Sequence, residues 1–285
     1  IASIAQKLSS KKINTFSLSF GDGLNENYYA NLAAKTIGTN HYEIKVDEKK
    51  IFPYLYDNIE VFDDLGSTDP GILSLAFSTK FIRDHGIKTL LFGEGADEIL
   101  AGYKRFALGT LPFSILPNKI NLMLYYYFFS RDNFKSLKKF YKNFIPIENK
   151  INNKNGSYLH KFLKFEIEDH LPNNYLMKID KSTMYNSIEA RVPYLDIDLI
   201  SFLLNIDQKK LVSTNWFFKF EGNEKKILRN LAKKYLPQDI HTRRKFGSML
   251  NTKFFILSNL DKIYDLLSGN NNTNFFEYFS KKEIY

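Results

Sequence analysis

The chain has 285 residues, 44% of them hydrophobic, which is enough to bury one sizeable core or two modest ones and excludes an intrinsically disordered polypeptide. It contains no Cys, so a disulfide framework and a thiolate metal site are excluded and a reducing, cytoplasmic setting fits. The formal charge of +9 comes from lysines dispersed among Asn, Ile, Phe and Tyr, with no basic stripe and no recognition module, so the composition does not point to nucleic acid.

Ile1 to Leu8 reads as the interior of a helix with neither an initiating Met nor a cap. Ile13 to Phe20 alternates as a strand does, Asn25 to Ile37 carries apolar residues at helical spacing, and His41 to Val46 reads as the next strand, so the three form a βαβ unit. Lys49 to Phe62 and Pro70 to His85 read as helices, Pro70 fitting the first-turn preference of proline, and Ile87 to Phe92 supplies another buried strand. Apolar strands alternating with helices predict an α/β fold, a parallel sheet flanked by helices on both faces. Ligands of such sheets bind beyond the strand C-termini.

At that position stands Gly93-Glu94-Gly95-Ala96-Asp97-Glu98, three acids interleaved with small residues. Glycine allows a ligand close to the backbone, and a carboxylate there can hold Mg²⁺ or a proton. The same acids would also suit a helix N-terminus, where they complement the dipole.

From Ala107 onward the strand signal fades, and 107–285 reads as a mainly helical part set against an α/β part over 1–106. The most apolar stretch, Ala107 to Phe129, is interrupted by Pro112, Pro117, Asn118, Lys119 and Asn121, too often for a membrane span of about 20 residues. Asn149 to Ser157, rich in Asn and Gly, reads as a linker.

The order Gly93-Glu94-Gly95-Ala96-Asp97-Glu98 followed by Gly102-Tyr103 resembles the signature of the ATP-dependent synthetase domain of glutamine-hydrolysing asparagine synthetases. Four further blocks fall in that family's order: Glu189-Ala190-Arg191-Val192-Pro193-Tyr194-Leu195-Asp196, Lys225-Lys226-Ile227-Leu228-Arg229, Arg243-Arg244-Lys245-Phe246-Gly247, and upstream Gly38-Thr39-Asn40-His41 with Asp69-Pro70. The resemblance implies a fold of the adenine-nucleotide alpha-hydrolase type, that of the PP-loop ATPases. It implies ATP and Mg²⁺, and an AMP-forming amidation of a small-molecule carboxylate, L-aspartate in the first instance. The ammonia would come from a glutaminase domain that lies upstream and uses an N-terminal Cys, or from another source. A homodimer is compatible with this reading, and no membrane partner is implied.

Carried over by position, Asp97 would be a Mg²⁺ ligand and Glu94 the carboxylate that orients or deprotonates ammonia. Lys225 would face the α-phosphate, Gly93 the nucleotide, and Leu18 the adenine. Arg243 and Lys245 would bind pyrophosphate, while Asp69 and Asp180 would border the acceptor. Glu189, Arg191 and Asp196 read as an internal ion-pair network. Four of these have an ordinary alternative: a cap for Asp97, a surface acid for Glu94, a solvated helix face for Lys225, core for Leu18.

The family's pyrophosphate loop, Ser-Gly-Gly-x-Asp-Ser after the first strand, does not occur in these residues, so the chain is expected to lack that strand and loop. Phe92 replaces a common Ser, and 63–70 lacks an arginine that many dedicated asparagine synthetases carry. The acceptor can therefore be a sugar acid or another carboxylate, and a degenerate or accessory nucleotide-binding domain is the alternative of a different class.

Overall fold

The computed structural model describes residues 1–20, 26–46, 50–51, 54, 71–110, 113–130, 137–212, 224–243 and 259–261. Helix α1 (Ala2–Leu8) leads to β1 (Asn14–Phe20), α2 (Glu26–Ile37) and β2 (Asn40–Val46). β1 and β2 pair in parallel from Asn14↔Asn40 to Phe20↔Val46, which is the βαβ unit expected from the alternation. The helix expected over Lys49 to Phe62 lies largely outside the described residues. Helix α3 (Gly71–Asp84) follows, then β3, which is shorter than Ile87 to Phe92 and covers Thr89–Leu91.

The second half is helical except at one point. After α4 (Ala96–Ile99) and a tight 3₁₀ run at Lys104–Gly109 come α5 (Asn118–Ser130), α6 (Leu137–Asn152) and α7 (Tyr158–Phe165). A π-helical segment, Glu166–Leu176, runs on into α8 (Met177–Met184). β4 (Glu189–Arg191) then pairs in parallel with β3, from Thr89↔Glu189 to Leu91↔Arg191, so a strand of the sheet comes from a region expected to be helical. Three residues are too few to show a period, which is why the pattern missed it. α9 (Ile197–Leu204), α10 (Lys226–Ala232) and α11 (Gln238–His241) follow.

The linker expected over Asn149 to Ser157 is shorter than its composition suggested. α6 continues through Pro146 to Asn152, and Ser157 already caps α7, its Oγ accepting from the His160 N–H. The Asn residues of 149–152 thus belong to a last helical turn.

Three apolar clusters organise the chain. One, built on Phe106, Leu122, Tyr125, Phe144, Phe162 and Leu203, is the core of the helical half. A second joins Val46, Ile51, Ile72 and Ala76. The third, Ile44, Ile82 and Ile188, takes Phe16 and Leu18 from β1 together with Leu90 from β3, so both strand pairs pack on one core. Among the described residues β1 pairs only with β2 and β3 only with β4, which leaves one edge of each unpaired. Helices with parallel strands make this an α/β chain. α3 is bound to α8 through buried hydroxyls, Thr79 Oγ1 donating to Ser182 O (2.8 Å) and Ser182 Oγ to Ile72 O (3.0 Å).

Candidate active site

Beyond the C-terminus of β3 the Phe92 N–H donates to Arg191 O (2.8 Å), carrying the ladder one residue past the strand before the chain turns. Gly95 takes φ +85°, a left-handed conformation that costs glycine nothing, and a Cβ there would fall 2.4 Å from Leu195 Cδ2. α4 begins at the next residue, with Asp97 and Glu98 in its first turn. Past α4 the chain folds back, and the Gly102 N–H donates to Asp97 O (2.7 Å). A Cβ on Gly102 would lie 1.8 Å from Asp97 Oδ1 and 2.8 Å from Asp97 Cα, so only glycine lets this carboxylate rest against its own turn.

Lys225 reaches that carboxylate from the far half of the sequence, its Nζ standing 2.9 Å from Asp97 Oδ1 in a half-buried pair. Its backbone is left-handed (φ 52°, ψ 40°), a strain of about 1–2 kcal/mol for a non-glycine residue. Strain of this kind persists where surrounding bonds impose it, typically at functional sites. Here the Lys226 N–H donates to Leu211 O (3.0 Å) and the Arg229 N–H to Lys225 O (2.9 Å).

The pair lies in a cleft of about 950 Å³ whose polar wall holds Asp97, Lys225, Arg229, His241 and Arg243. Its remaining lining is mainly apolar, including Leu91, Phe202 and Leu228. Arg243 also borders a second hollow of about 340 Å³ with Leu18, Ser17, Glu26 and Tyr29. There its guanidinium meets Glu26 Oε1 at 3.3 Å and sits 4.9 Å from the Tyr29 ring centre.

Behind the acid turn the polar groups are buried. Glu98 accepts from the Tyr103 hydroxyl at 2.5 Å, and burial pushes its carboxyl up. Glu166, on the π-helical segment, has no exposed surface and receives Arg105 Nε (2.6 Å), the Tyr125 hydroxyl (2.5 Å) and His170 Nδ1 (3.0 Å). Burial alone would raise its pKa, but Arg105 and His170 outweigh burial and hold it at about 2.

The fold brings Asp97, Lys225 and Arg243 to one cleft and sets Leu18 in the adjoining hollow, where it also packs against the β1–β2 core. Gly93 and Glu94 occupy the turn before α4, Glu94 half-buried. Asp180 is exposed on α8 and lines neither cavity. Asp69 and Lys245 lie outside the described residues. The expected network of Glu189, Arg191 and Asp196 does not form: Glu189 and Arg191 pair with each other at 2.8 Å on the surface. Asp196 instead caps α9, accepting from the N–H groups of Asp198 (3.1 Å) and Leu199 (3.0 Å). An acid just before an apolar helix is a capping signal, and it outranks the attraction of a distant charge.

Sequence reasoning gave no role to Arg229 or Glu98, although both stand inside recognised motifs; an Arg and a Glu look like surface residues until burial is known. Among the described residues no group of three or more His, Asp or Glu side chains could hold a metal unaided.

An acid turn at the end of a parallel strand, with a lysine and an arginine from a helical half on the same cleft, defines an α/β chain with a cleft whose polar wall is mainly basic. The chain belongs to the asparagine synthase family, whose match covers residues 1–284. It is 26% identical over 285 residues to the glutamine-hydrolysing asparagine synthetase 1 of Bacillus subtilis, covering 87% of this chain and 44% of that relative. A probable asparagine synthetase of Schizosaccharomyces pombe is 30% identical over 172 residues, 58% of this chain and 22% of the relative. Asparagine synthetase 1 of Arabidopsis thaliana is 26% identical over 221 residues, 74% of this chain and 29% of the relative. The chain thus spans less than half the length of these relatives.

Proposed function

We propose that this chain is the adenylating and amide-forming part of an ATP-dependent, AMP-forming carbon–nitrogen ligase of the PP-loop type, with L-aspartate as first acceptor and L-asparagine as product. The observation that carries the reading is the 2.9 Å contact between Lys225 and Asp97, which joins two motifs from opposite halves of the chain at the end of a parallel strand. Adenylation builds negative charge on the α-phosphate, and an ammonium fixed at the cleft wall stabilises it there. Glu94, in the turn that precedes Asp97, accepts a proton from the attacking ammonia. Arg243 holds the departing pyrophosphate, with Lys245 in the same motif.

The donors fit Mg²⁺ in the way that ion is ordinarily held, through one carboxylate with phosphate oxygens and water completing the shell. Asp97 offers such a carboxylate, and the bare Cα of Gly102 leaves it room. Mg²⁺ held there would neutralise phosphate charge. Asp97 pairs with Lys225, so the carboxylate that holds the ammonium is also the one that would hold the metal.

Among the described residues β1 and β3 each keep one edge unpaired beside their common apolar cluster, which supports the view that a further strand and a Ser-Gly-Gly-x-Asp-Ser loop, outside these 285 residues, complete the sheet and cradle the pyrophosphate. Glutamine-derived ammonia would likewise come from a domain outside them.

The test is carboxylate-dependent ATP–pyrophosphate exchange, measured on this chain and on the same chain joined behind a designed strand and Ser-Gly-Gly-x-Asp-Ser loop. Exchange should be near background in the first and appear in the second, with aspartate or another member of a carboxylate panel. Exchange at equal rates in both would misplace the phosphate site.

A further inference from the structure

The Arg229 guanidinium lies at the meeting point of the two segments that carry the basic groups of the cleft. Its Nε donates to Glu224 O (3.1 Å), and its Nη1 donates both to His241 O (2.9 Å) and to Arg243 O (3.1 Å). Its Nη2 stands 3.5 Å from Glu224 Oε1, and Glu224 is buried. One planar fork thereby ties the residue before Lys225 to the residue that is Arg243. Arg229 also donates its own N–H to Lys225 O, so the strained backbone of Lys225 is bracketed on both sides by Arg229 contacts. A guanidinium offers five donors in a fixed plane; an ammonium in its place could not reach three separate carbonyls in these directions.

We propose that Arg229 is a positioning residue that sets Lys225 and Arg243 at a fixed spacing on the cleft wall, so that both meet the same diphosphate group. Most of its donors are spent on backbone carbonyls, so its contribution is the placement of the other two charges. The proposal rests on the reading of Lys225 as a phosphate-facing residue.

The experiment is calorimetric binding of inorganic pyrophosphate with Mg²⁺ to the chain joined behind its designed strand and phosphate loop, otherwise unaltered, and to its Lys225→Gln, Arg229→Lys and double variants, with circular dichroism and urea denaturation on each. Lys225→Gln should weaken binding about tenfold or more, as expected for losing a charge-assisted contact. Arg229→Lys keeps the net charge yet should weaken binding about as much, and the double variant should be little worse than either, as for residues that act through one another.

Binding by Arg229→Lys equal to that of the unaltered chain, or losses that simply multiply in the double variant, would overturn the proposal while leaving the role of Lys225 intact. Binding by Lys225→Gln equal to that of the unaltered chain, or no binding by the unaltered chain, would overturn the reading of Lys225 and the proposal with it. If Arg229→Lys does not fold, Glu224→Gln removes the carboxylate beside Arg229 without changing the shape of its side chain. It enters the same cycle, with the same two outcomes.

Discussion

Asp97 owes its position to a neighbour with no side chain. Because a Cβ at Gly102 would meet both the carboxylate and the Cα of Asp97, Gly102→Ala must displace the turn itself, not merely rotate a flexible side chain. A destabilisation of about 1–3 kcal/mol is expected from such overpacking, read as a lower urea midpoint with an unchanged slope. An unchanged midpoint would show that the turn can slide without cost. The buried Glu166 makes a different kind of contribution. Its carboxyl is held at about 2, below its ordinary 4.5, so the stability it provides is complete above pH 4.5 and is lost as pH falls toward 2. Glu166→Gln should therefore cost about 3–5 kcal/mol at neutral pH, since it leaves the Arg105 charge buried without its counter-ion. Its stability should also vary less than the unaltered chain's below pH 4.5. Parallel denaturation midpoints for the two proteins across pH 3 to 7 would contradict this account.

α9 supplies part of the apolar lining of the cleft, and its start is fixed by Asp196 accepting from two backbone N–H groups. Asp196→Ala should cost about 1 kcal/mol, and Asp196→Asn, which can still accept, only a few tenths. Equal stability of the two variants would mean that the cap contributes nothing. The same residue shows what the sequence made legible. The βαβ unit and α3 could be read because seven or more residues expose a period of 2 or 3.6, and the turn from Gly93 to Glu98 because glycines and acids after an apolar strand have few other uses. β4 could not be read, because three residues carry no period and its pairing with β3, Thr89↔Glu189 to Leu91↔Arg191, joins residues a hundred positions apart. Nor could the roles of Arg229, Glu98 and Glu166, because burial of a charged side chain is a property of the packed molecule. Asp196 was visible as a motif acid, but which group it would meet was decided by the local geometry of a helix start.

The whole molecule sets its two strand pairs on one apolar cluster and closes a basic wall over the acid turn from the helical half, so the candidate site exists only when both halves are folded. No helix among the described residues is long and apolar enough to cross a membrane. The central claim is that Lys225 and Glu94 serve successive steps at one site, and it is tested by measuring pyrophosphate exchange and amide formation side by side on the chain completed with its phosphate loop. Lys225→Ala should lower exchange by about 10²–10³ and amide formation with it, since charge stabilisation at the phosphate is removed. Glu94→Gln keeps shape and hydrogen bonding but cannot take a proton, so it should impair amide formation from ammonia far more than exchange. Equal losses of both activities in Glu94→Gln, or normal exchange in Lys225→Ala, would contradict the account.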